Sequence, residues 1–224
     1  MNITYLELPT KDLIAQRDYY SKALELPVNL SAERLEVQTR TTTLVFTQVS
    51  PNFDGAYHFA FNIPENQFHV AKAWIASRIP LLHDETGKDE FESEDWNSQS
   101  VYFKDAAGNV LEFIARHNLK NAVSGEFDSR QILNVSEIGL PSEDVIAFAK
   151  DLCYRLDLSV FKQEPNQIFT PVGDDHGLFI LPVKDRIWIP NSGVPAKLLP
   201  VKVAGEANGK AWEVYGVPYE ITSR

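Results

Sequence analysis

Short segments in which apolar and polar residues alternate run through the chain and predict a protein built largely of strands. Residues 57–63 alternate at period two, so one face is apolar and the other is small or polar. The apolar face carries Tyr57, Phe59, Phe61 and Ile63, and the opposite face carries His58, Ala60 and Asn62. Apolar residues then recur at helical spacing from Phe68 to Ile79, and Pro80 ends that helix.

Residues 98–116 predict two more strands, joined by a tight turn from Asp105 to Asn109. The second of these strands is apolar on both faces, which is typical of a strand inside a sheet that is covered on both sides. Glu112 interrupts this apolar run. Because an unpaired buried carboxylate is very costly, Glu112 either has a cation, a donor or a metal as its partner or lies at a sheet edge facing water.

The same order of elements appears at the N-terminus and again near residue 135. The segment from Leu8 to Ala15 matches the segment from Leu140 to Ala147, and the register continues without a gap through the following helix. Either Thr10 or Asp12 is expected to cap the first of these helices. A repeat that reproduces strand, cap and helix in order indicates a duplicated βαβββ module.

Four copies of this module can be traced, and they predict an α+β fold in which βαβββ modules form incomplete barrels. Residues 1–50 and 54–117 are complete copies, whereas 133–183 and 196–222 are degenerate, the last being too short for a helix. We therefore expect one complete module pair over 1–117, a polar linker over 118–132 and a degenerate, truncated pair over 133–224.

The chain resembles the vicinal oxygen chelate superfamily, the group of glyoxalases, bleomycin-resistance proteins and extradiol dioxygenases. The residues that carry the resemblance are the strand from His58 to Ile63 and the Asp105-x-x-Gly108-Asn109-x-x-Glu112 signature between two strands. In that superfamily, paired modules curl into an incomplete barrel whose inward residues bind a divalent metal.

The resemblance places His58 and Glu112 at two of the metal-ligand positions and implies Fe, Mn or Zn as the ion. Tyr5 stands where metal-binding members commonly have His, and a neutral phenol is a poor ligand. Glu7 shares the face of Tyr5 and is expected to be the third ligand, with Glu7 or Tyr5 serving in acid–base catalysis. Alternatively, Tyr5, His58 and Glu112 only form hydrogen bonds with one another.

Period-two alternation predicts which side chains face the cavity. They are Tyr5, Glu7, His58, Ala60, Asn62, Tyr102, Glu112, Ile114 and Arg116. Among them, Asn62, Tyr102 and Arg116 are candidates for binding a small polar-aromatic or 2-oxo substrate, although Arg116 would also fit the sheet rim. Trp188, in a connection rich in Pro and Gly from Pro182 to Pro200, is expected to anchor that loop or to form a lid.

The net charge, the apolar runs and the cysteine content of the chain exclude some classes of function. The net charge of −10 offers no basic stripe for nucleic acid, and no apolar run is long enough to span a bilayer. Cys153 is the single cysteine, which fits a reducing cytoplasm, and a signal peptide pattern is absent. The oligomeric state stays open, with a homodimer among the options.

The expected function is that of a metal-dependent enzyme of the glyoxalase or extradiol dioxygenase type, acting on a small oxygenated substrate. The alternative is a metal-free protein that binds and sequesters a small molecule, as in bleomycin resistance. A scaffold that binds no ligand is the third option.

Overall fold

The computed structural model describes residues 1–223 and places fourteen strands in two seven-stranded sheets. The first sheet has the order β14-β13-β12-β1-β4-β3-β2 and the second has the order β10-β11-β9-β5-β8-β7-β6. The strands of the first half are β1 Asn2–Thr10, β2 Val28–Leu30, β3 Arg34–Gln38, β4 Thr43–Gln48, β5 His58–Ile63, β6 Phe91–Ser93, β7 Ser98–Lys104 and β8 Val110–Arg116. Those of the second half are β9 Asn134–Gly139, β10 Phe169–Asp174, β11 Gly177–Pro182, β12 Val201–Ala207, β13 Lys210–Gly216 and β14 Glu220–Ser223.

Three helices connect these strands: α1 Leu13–Asp18, α2 Phe68–Ala76 and α3 Val145–Leu156. A π-helical turn, Tyr19–Ala23, extends α1, and a 3-10 turn, Ser129–Gln131, precedes β9. Asp12 caps α1 through Ala15 N (2.9 Å), and Asp144 caps α3 through Ala147 N (3.0 Å). Asp12 is therefore the cap of the first helix, and the repeat seen in the sequence extends to this detail. No helix within residues 1–223 meets the length and apolarity needed to cross a membrane.

The α+β fold of repeated βαβββ modules is confirmed, but the modules pair differently from the expectation. In the first sheet, β1 of the first module pairs with β12 of the fourth; in the second sheet, β5 of the second pairs with β9 of the third. The modules thus pair first with fourth and second with third, and the sheets do not follow a division into 1–117 and 133–224. Modules that are neighbours in sequence often pair, but packing between distant parts of the chain determines which modules pair in the folded protein. Arg224 lies outside the described residues.

The third and fourth modules are degenerate in different ways. The third has β9, α3, β10 and β11, with only a bridge between Val160 and Val172 in place of its second strand. The fourth lacks a helix, and β12 and β13 form an antiparallel hairpin across Asn208 and Gly209. Parallel pairing like that of β1 with β4 requires a crossover connection, so a module without its helix closes as a hairpin.

A β-bulge recurs at the same position of two modules. The register of β1 against β12 shifts between Ile3 and Tyr5, which leaves Thr4 as the extra residue. The register of β9 against β5 shifts in the same way and leaves Ser136 as the extra residue. Residues Tyr5 and Glu137 directly follow these bulges, and bulges re-aim the side chains beside them.

Both sheets and all three helices contribute to one apolar core. Its strand residues include Leu6 and Leu8 of β1 and Phe59, Phe61 and Ile63 of β5, all with 0% of their surface exposed. The apolar face predicted for residues 57–63 therefore packs in this core, and the opposite face, with His58, Ala60 and Asn62, points into the concave side of the second sheet.

The turn between β7 and β8 ties the second module to the first. Asp105 is buried and accepts hydrogen bonds from Ala107 N (2.9 Å), Asn109 N (3.0 Å) and Asn109 Nδ2 (2.8 Å). It also accepts from Gln16 Nε2 (2.8 Å) and Tyr20 Oη (3.2 Å), next to the core of the first module. The Asp-x-x-Gly-Asn signature is thus a structural joint between modules.

Replacing Asp105 with Ala should lower the free energy of unfolding by about 3 kcal/mol, because several buried donors would lose their acceptor. Chemical denaturation of the two proteins measures this difference. Asp84→Ala is the matched control, since Asp84 accepts from Thr86 N and Lys88 N in a similar turn outside the core. Equal losses in the two variants would contradict the role assigned to Asp105.

Candidate active site

Two carboxylates flank one alanine across three neighbouring strands of the second sheet. Ala60 on β5 is opposite Glu112 on β8 and also opposite Glu137 on β9. Side chains at paired positions lie on the same face of a sheet, so both carboxylates project over the small Ala60. Both are buried, with 4% of Glu112 and 2% of Glu137 exposed. The sheet thus brings together two acidic groups that are far apart in sequence.

His58 completes a cluster with these carboxylates, two residues before Ala60 on β5. Its Nδ1 lies 3.0 Å from the carbonyl oxygen of Val110, which can only accept, so Nδ1 carries the hydrogen. Nε2 is then left to face the carboxylates, 3.6 Å from Glu112 Oε2 and 3.8 Å from Glu137 Oε2. In the neutral tautomer no hydrogen lies between Nε2 and these two carboxylate oxygens, so the gap between them favours uptake of a proton or a cation.

The donor set fits a divalent metal ion. One ligand atom from each of His58, Glu112 and Glu137 lies within 4.8 Å of the other two. Two atoms bound to one ion at about 2.1 Å are about 3.0–3.5 Å apart, so small side-chain movements would close the cluster around an ion. The bond from Nδ1 to a backbone carbonyl also holds the ring in the orientation that metal-ligating histidines usually adopt.

Arg116 forms a buried ion pair with Glu137 and is not at the sheet rim. It is completely buried, and its Nη2 donates to Glu137 Oε1. The guanidinium also lies over the rings of Trp96 (5.5 Å) and Phe161 (5.9 Å). It is absent from the cavity wall, so it positions and neutralises Glu137 instead of reaching a substrate.

Burial and charge shift the pKa values of the cluster toward proton uptake. Burial, followed by the charge of Glu137, raises the pKa of Glu112 to about 7. Burial alone would lower the pKa of His58, but the bond to Glu137 and the charge of Glu112 outweigh it and raise that pKa. Without a metal, the cluster therefore holds a proton that an ion would displace.

A cavity of about 300 Å³ lies above the cluster on the concave face of the second sheet. His58, Glu112 and Glu137 are on its floor, and its walls are largely apolar and aromatic. The wall includes Phe91, Trp96, Tyr102, Ile114, Phe169, Ile180 and Trp188. A small cavity with few polar groups at one end is typical of a small-molecule site.

Trp188 covers the cluster. Its ring centroid is 4.9 Å from that of His58, and only 6% of the residue is exposed. A Cβ on Gly139 would lie 2.4 Å from the Trp188 ring, so glycine at that position lets the ring approach β9. The connection between Pro182 and Pro200 is thus anchored by aromatic packing and also closes the cavity.

Tyr102 lines the cavity, as its alternation predicted. It is opposite Glu112 in the pairing of β7 with β8. Burial, together with the charges of Glu112 and Glu137, raises its pKa well above the usual value. Its phenol therefore keeps its proton and serves as a donor and not as a ligand.

Tyr5 and Glu7, expected to be ligands or acid–base groups, lie in the other sheet. Tyr5 Oη donates to Glu7 and accepts from Arg34 Nη2 (3.3 Å). They are not brought to His58 and Glu112, and Glu137 is the third member of that cluster instead. Modules one and two do not share a sheet, which is the physical reason for this correction. Asn62 is also off the cavity wall and donates to the carbonyl of Asp175 (3.3 Å).

Sequence reasoning missed Glu137 and most of the cavity wall. The signal for Glu137 was present, since the repeat aligns it with Tyr5 at the ligand position of a first strand. Only the pairing of the second and third modules shows that this strand is a neighbour of β5. Phe169 begins β10 and Arg186 lies in the connection between Pro182 and Pro200, and neither belongs to a motif that would have placed it on the wall.

No family model and no curated protein matches the sequence. Among solved structures, the fold is similar to that of a protein from Bacillus subtilis strain 168 provisionally described as a dioxygenase. This similarity covers 96% of the present chain and 81% of that chain, with a TM-score of 0.63 and 15% identity.

Two further similarities extend over about half of the chain. Lactoylglutathione lyase from Agrobacterium tumefaciens is 21% identical over 50% of this chain and 91% of that chain, at a TM-score of 0.41. A mutant of the fosfomycin resistance protein FosX from Listeria monocytogenes, in complex with Mn(II) and a dihydroxypropylphosphonic acid, is 16% identical. That match covers 57% of this chain and 89% of that chain, at a TM-score of 0.39.

The chain has the vicinal oxygen chelate fold. The match to the Bacillus subtilis protein, over nearly the whole chain, decides this point and confirms the fold that the Asp105–Glu112 signature indicated. Within residues 1–223, the His/Glu/Glu cluster lies in the second sheet of this fold, between the second and third modules.

In the absence of metal, the stability of the protein should fall relative to a Glu112→Gln variant as the pH rises from 5 to 8. The folded-state pKa of Glu112 is about 7, above its value of 4.5 in an unfolded chain. The stabilisation from proton uptake is therefore complete below pH 4.5 and is lost as the pH rises through 7. The change should be on the order of 2 kcal/mol, measured by urea denaturation with a chelator present.

Glu33→Gln is the control, since Glu33 is exposed and distant in sequence from the cluster. The stability of this variant should depend on pH in the same way as that of the parent protein. If the stability of Glu112→Gln also changed with pH in parallel with that of the parent protein, the raised pKa assigned to Glu112 would be contradicted.

Proposed function

We propose that the protein is a divalent-metal-dependent enzyme of the glyoxalase or dioxygenase type that acts on a small oxygenated substrate. The observation that supports this most strongly is the buried set of His58 Nε2, Glu112 and Glu137, three acceptors that face one another at the floor of a cavity. Two carboxylates and one imidazole favour Mn²⁺, Fe²⁺ or Zn²⁺.

His58, Glu112 and Glu137 would hold the ion, with Arg116 and the Val110 carbonyl orienting Glu137 and His58 from behind. A bound ion would supply Lewis-acid polarisation of two adjacent substrate oxygens. Three protein ligands from one face of a sheet leave the cavity side free for those oxygens.

Side chains of the cavity then have clear tasks. Tyr102 keeps its proton and is suited to donate a hydrogen bond or a proton to a substrate oxygen. Trp188, tilted by 35° against the nearby His58 ring, excludes water from the floor and provides a flat surface for a planar substrate. The aromatic wall favours a polar-aromatic or 2-oxo compound over a long polar chain. Ring cleavage and glyoxalase-like lyase chemistry both fit these tasks.

A metal-free protein that sequesters a small molecule is the second candidate. One observation favours it: Arg116 already neutralises Glu137, and a single proton shared by His58 and Glu112 would satisfy the remaining groups. The cavity would then bind its ligand mainly by aromatic packing.

Protein purified anaerobically without chelator should contain close to one equivalent of Fe, Mn or Zn by elemental analysis. Glu137→Ala should lose most of this metal, because removing one of three ligands costs on the order of tenfold to a hundredfold or more in affinity. Glu7→Ala, the matched control in the first sheet, should retain it.

Three outcomes separate the candidates. Metal present in the parent and in Glu7→Ala but lost in Glu137→Ala supports the enzyme. Metal lost in Glu7→Ala and retained in Glu137→Ala would contradict the ligand set. An absence of metal after purification and after reconstitution would leave the sequestering protein as the function.

A further inference from the structure

Arg186 contributes a positive charge to the cavity wall that no carboxylate within residues 1–223 neutralises. Eight arginines lie within residues 1–223, and six of them are within 4.0 Å of an acidic oxygen. Of the other two, Arg40 is exposed, whereas Arg186 is half-buried and lines the same cavity as the His/Glu/Glu cluster. An unpaired charge in a largely apolar wall is unfavourable unless a ligand pairs with it.

The connection that carries Arg186 is well fixed. The amide of Ala196 donates to the carbonyl of Arg186 (2.8 Å), and the amide of Arg186 donates to that of Val183 (3.2 Å). The guanidinium lies over the ring of Phe169, with 5.0 Å between its central carbon and the ring centroid. Packing of this kind presents the charge in one direction and lowers the entropic cost of binding.

Glu92, the remaining charged residue of the cavity lining outside the cluster, does not pair with Arg186 in place of a ligand. Glu92 also lines the cavity, but it is exposed, and its carboxylate accepts from Gln99 Nε2 (3.2 Å). Burial lowers the pKa of Arg186 from its usual value. Because the pKa of a guanidinium is ordinarily far above neutral pH, the group remains a cation there.

We propose that Arg186 binds an anionic group of the substrate, so that the substrate combines two adjacent oxygens with a carboxylate. This inference rests on the proposed function, since the adjacent oxygens would occupy the His58, Glu112 and Glu137 end of the cavity. A single guanidinium with no second cation on the wall matches a carboxylate, which it can bind through two parallel hydrogen bonds. Arg186 is thus a specificity-determining residue.

Calorimetric titration of Zn²⁺-loaded protein tests this, because Zn²⁺ has no redox chemistry and leaves catechols intact. The probes are catechol and three carboxylated forms, 2,3-dihydroxybenzoate, 3,4-dihydroxybenzoate and 3,4-dihydroxyphenylacetate, each beside its neutral carboxamide. At least one acid should bind about tenfold or more tightly than its amide. Arg186→Gln should reduce this preference to near parity, and Arg186→Lys should retain part of it.

Arg78→Gln is the matched control, since Arg78 also lies over an aromatic ring, that of Trp74 at 4.0 Å, but outside the cavity. It should keep the full preference for the acid. Equal metal content and equal thermal unfolding in all variants would show that the comparison reports on binding.

Titration of the same pairs into chelator-treated protein separates the two proposals. A preference for the acid that depends on Arg186, in a protein that fails to load metal, would overturn the enzyme and leave the anion site standing. Metal loading and catechol binding without any preference for the acids would overturn the anion site alone. The absence of a preference in both forms, or its survival in Arg186→Gln, would overturn it as well.

Discussion

Two nearly buried carboxylates on either side of Ala60 are the constraint to which the rest of the site responds. Glu112 and Glu137 would repel each other and lose their hydration if nothing compensated them. Arg116 supplies a full charge to one of them, and His58 turns its unprotonated nitrogen toward both. The sheet tolerates this face because the positive charge of Arg116, the hydrogen bonds and a bound proton or ion together offset the two negative charges.

The first sheet shows the same scaffold without that constraint. Tyr5 follows the bulge at Thr4 as Glu137 follows the bulge at Ser136, but it bonds to Glu7 and Arg34 on a partly exposed face. Lys202 and Glu213 form a further ion pair on this sheet (3.0 Å). These groups satisfy one another in contact with solvent, and the described part of the chain holds no second His/Glu cluster there. One sheet carries a set of possible metal ligands, and the corresponding face of the other sheet is polar surface.

Local patterns in the sequence were sufficient for most of the strands, for the repeat and for two of the three cluster residues, and they limited the cap of the first helix to Thr10 or Asp12. Alternation over 57–63 placed His58 on the cavity side, and the apolar run around Glu112 indicated a buried acid in need of a partner. Neighbouring modules were assumed to pair, which put Glu7 in the place that Glu137 occupies. The choice between those pairings depends on how the full length of each module's edge strand packs and on the missing helix in the fourth module. The free energy of such packing is spread over many residues, so no short sequence motif reports it.

The nested pairing of the modules has a consequence for the order in which the protein can form during synthesis. The second sheet comprises one uninterrupted stretch, from β5 to β11, so every strand bearing His58, Glu112 and Glu137 has been made before β12 appears. The first sheet is completed later, because β1 meets its neighbour β12 only after all strands of the second sheet have been made. Until then β1 has an unpaired edge, and such edges invite association with other chains. The part of the molecule that holds the chemistry is thus also the part that the ribosome completes first.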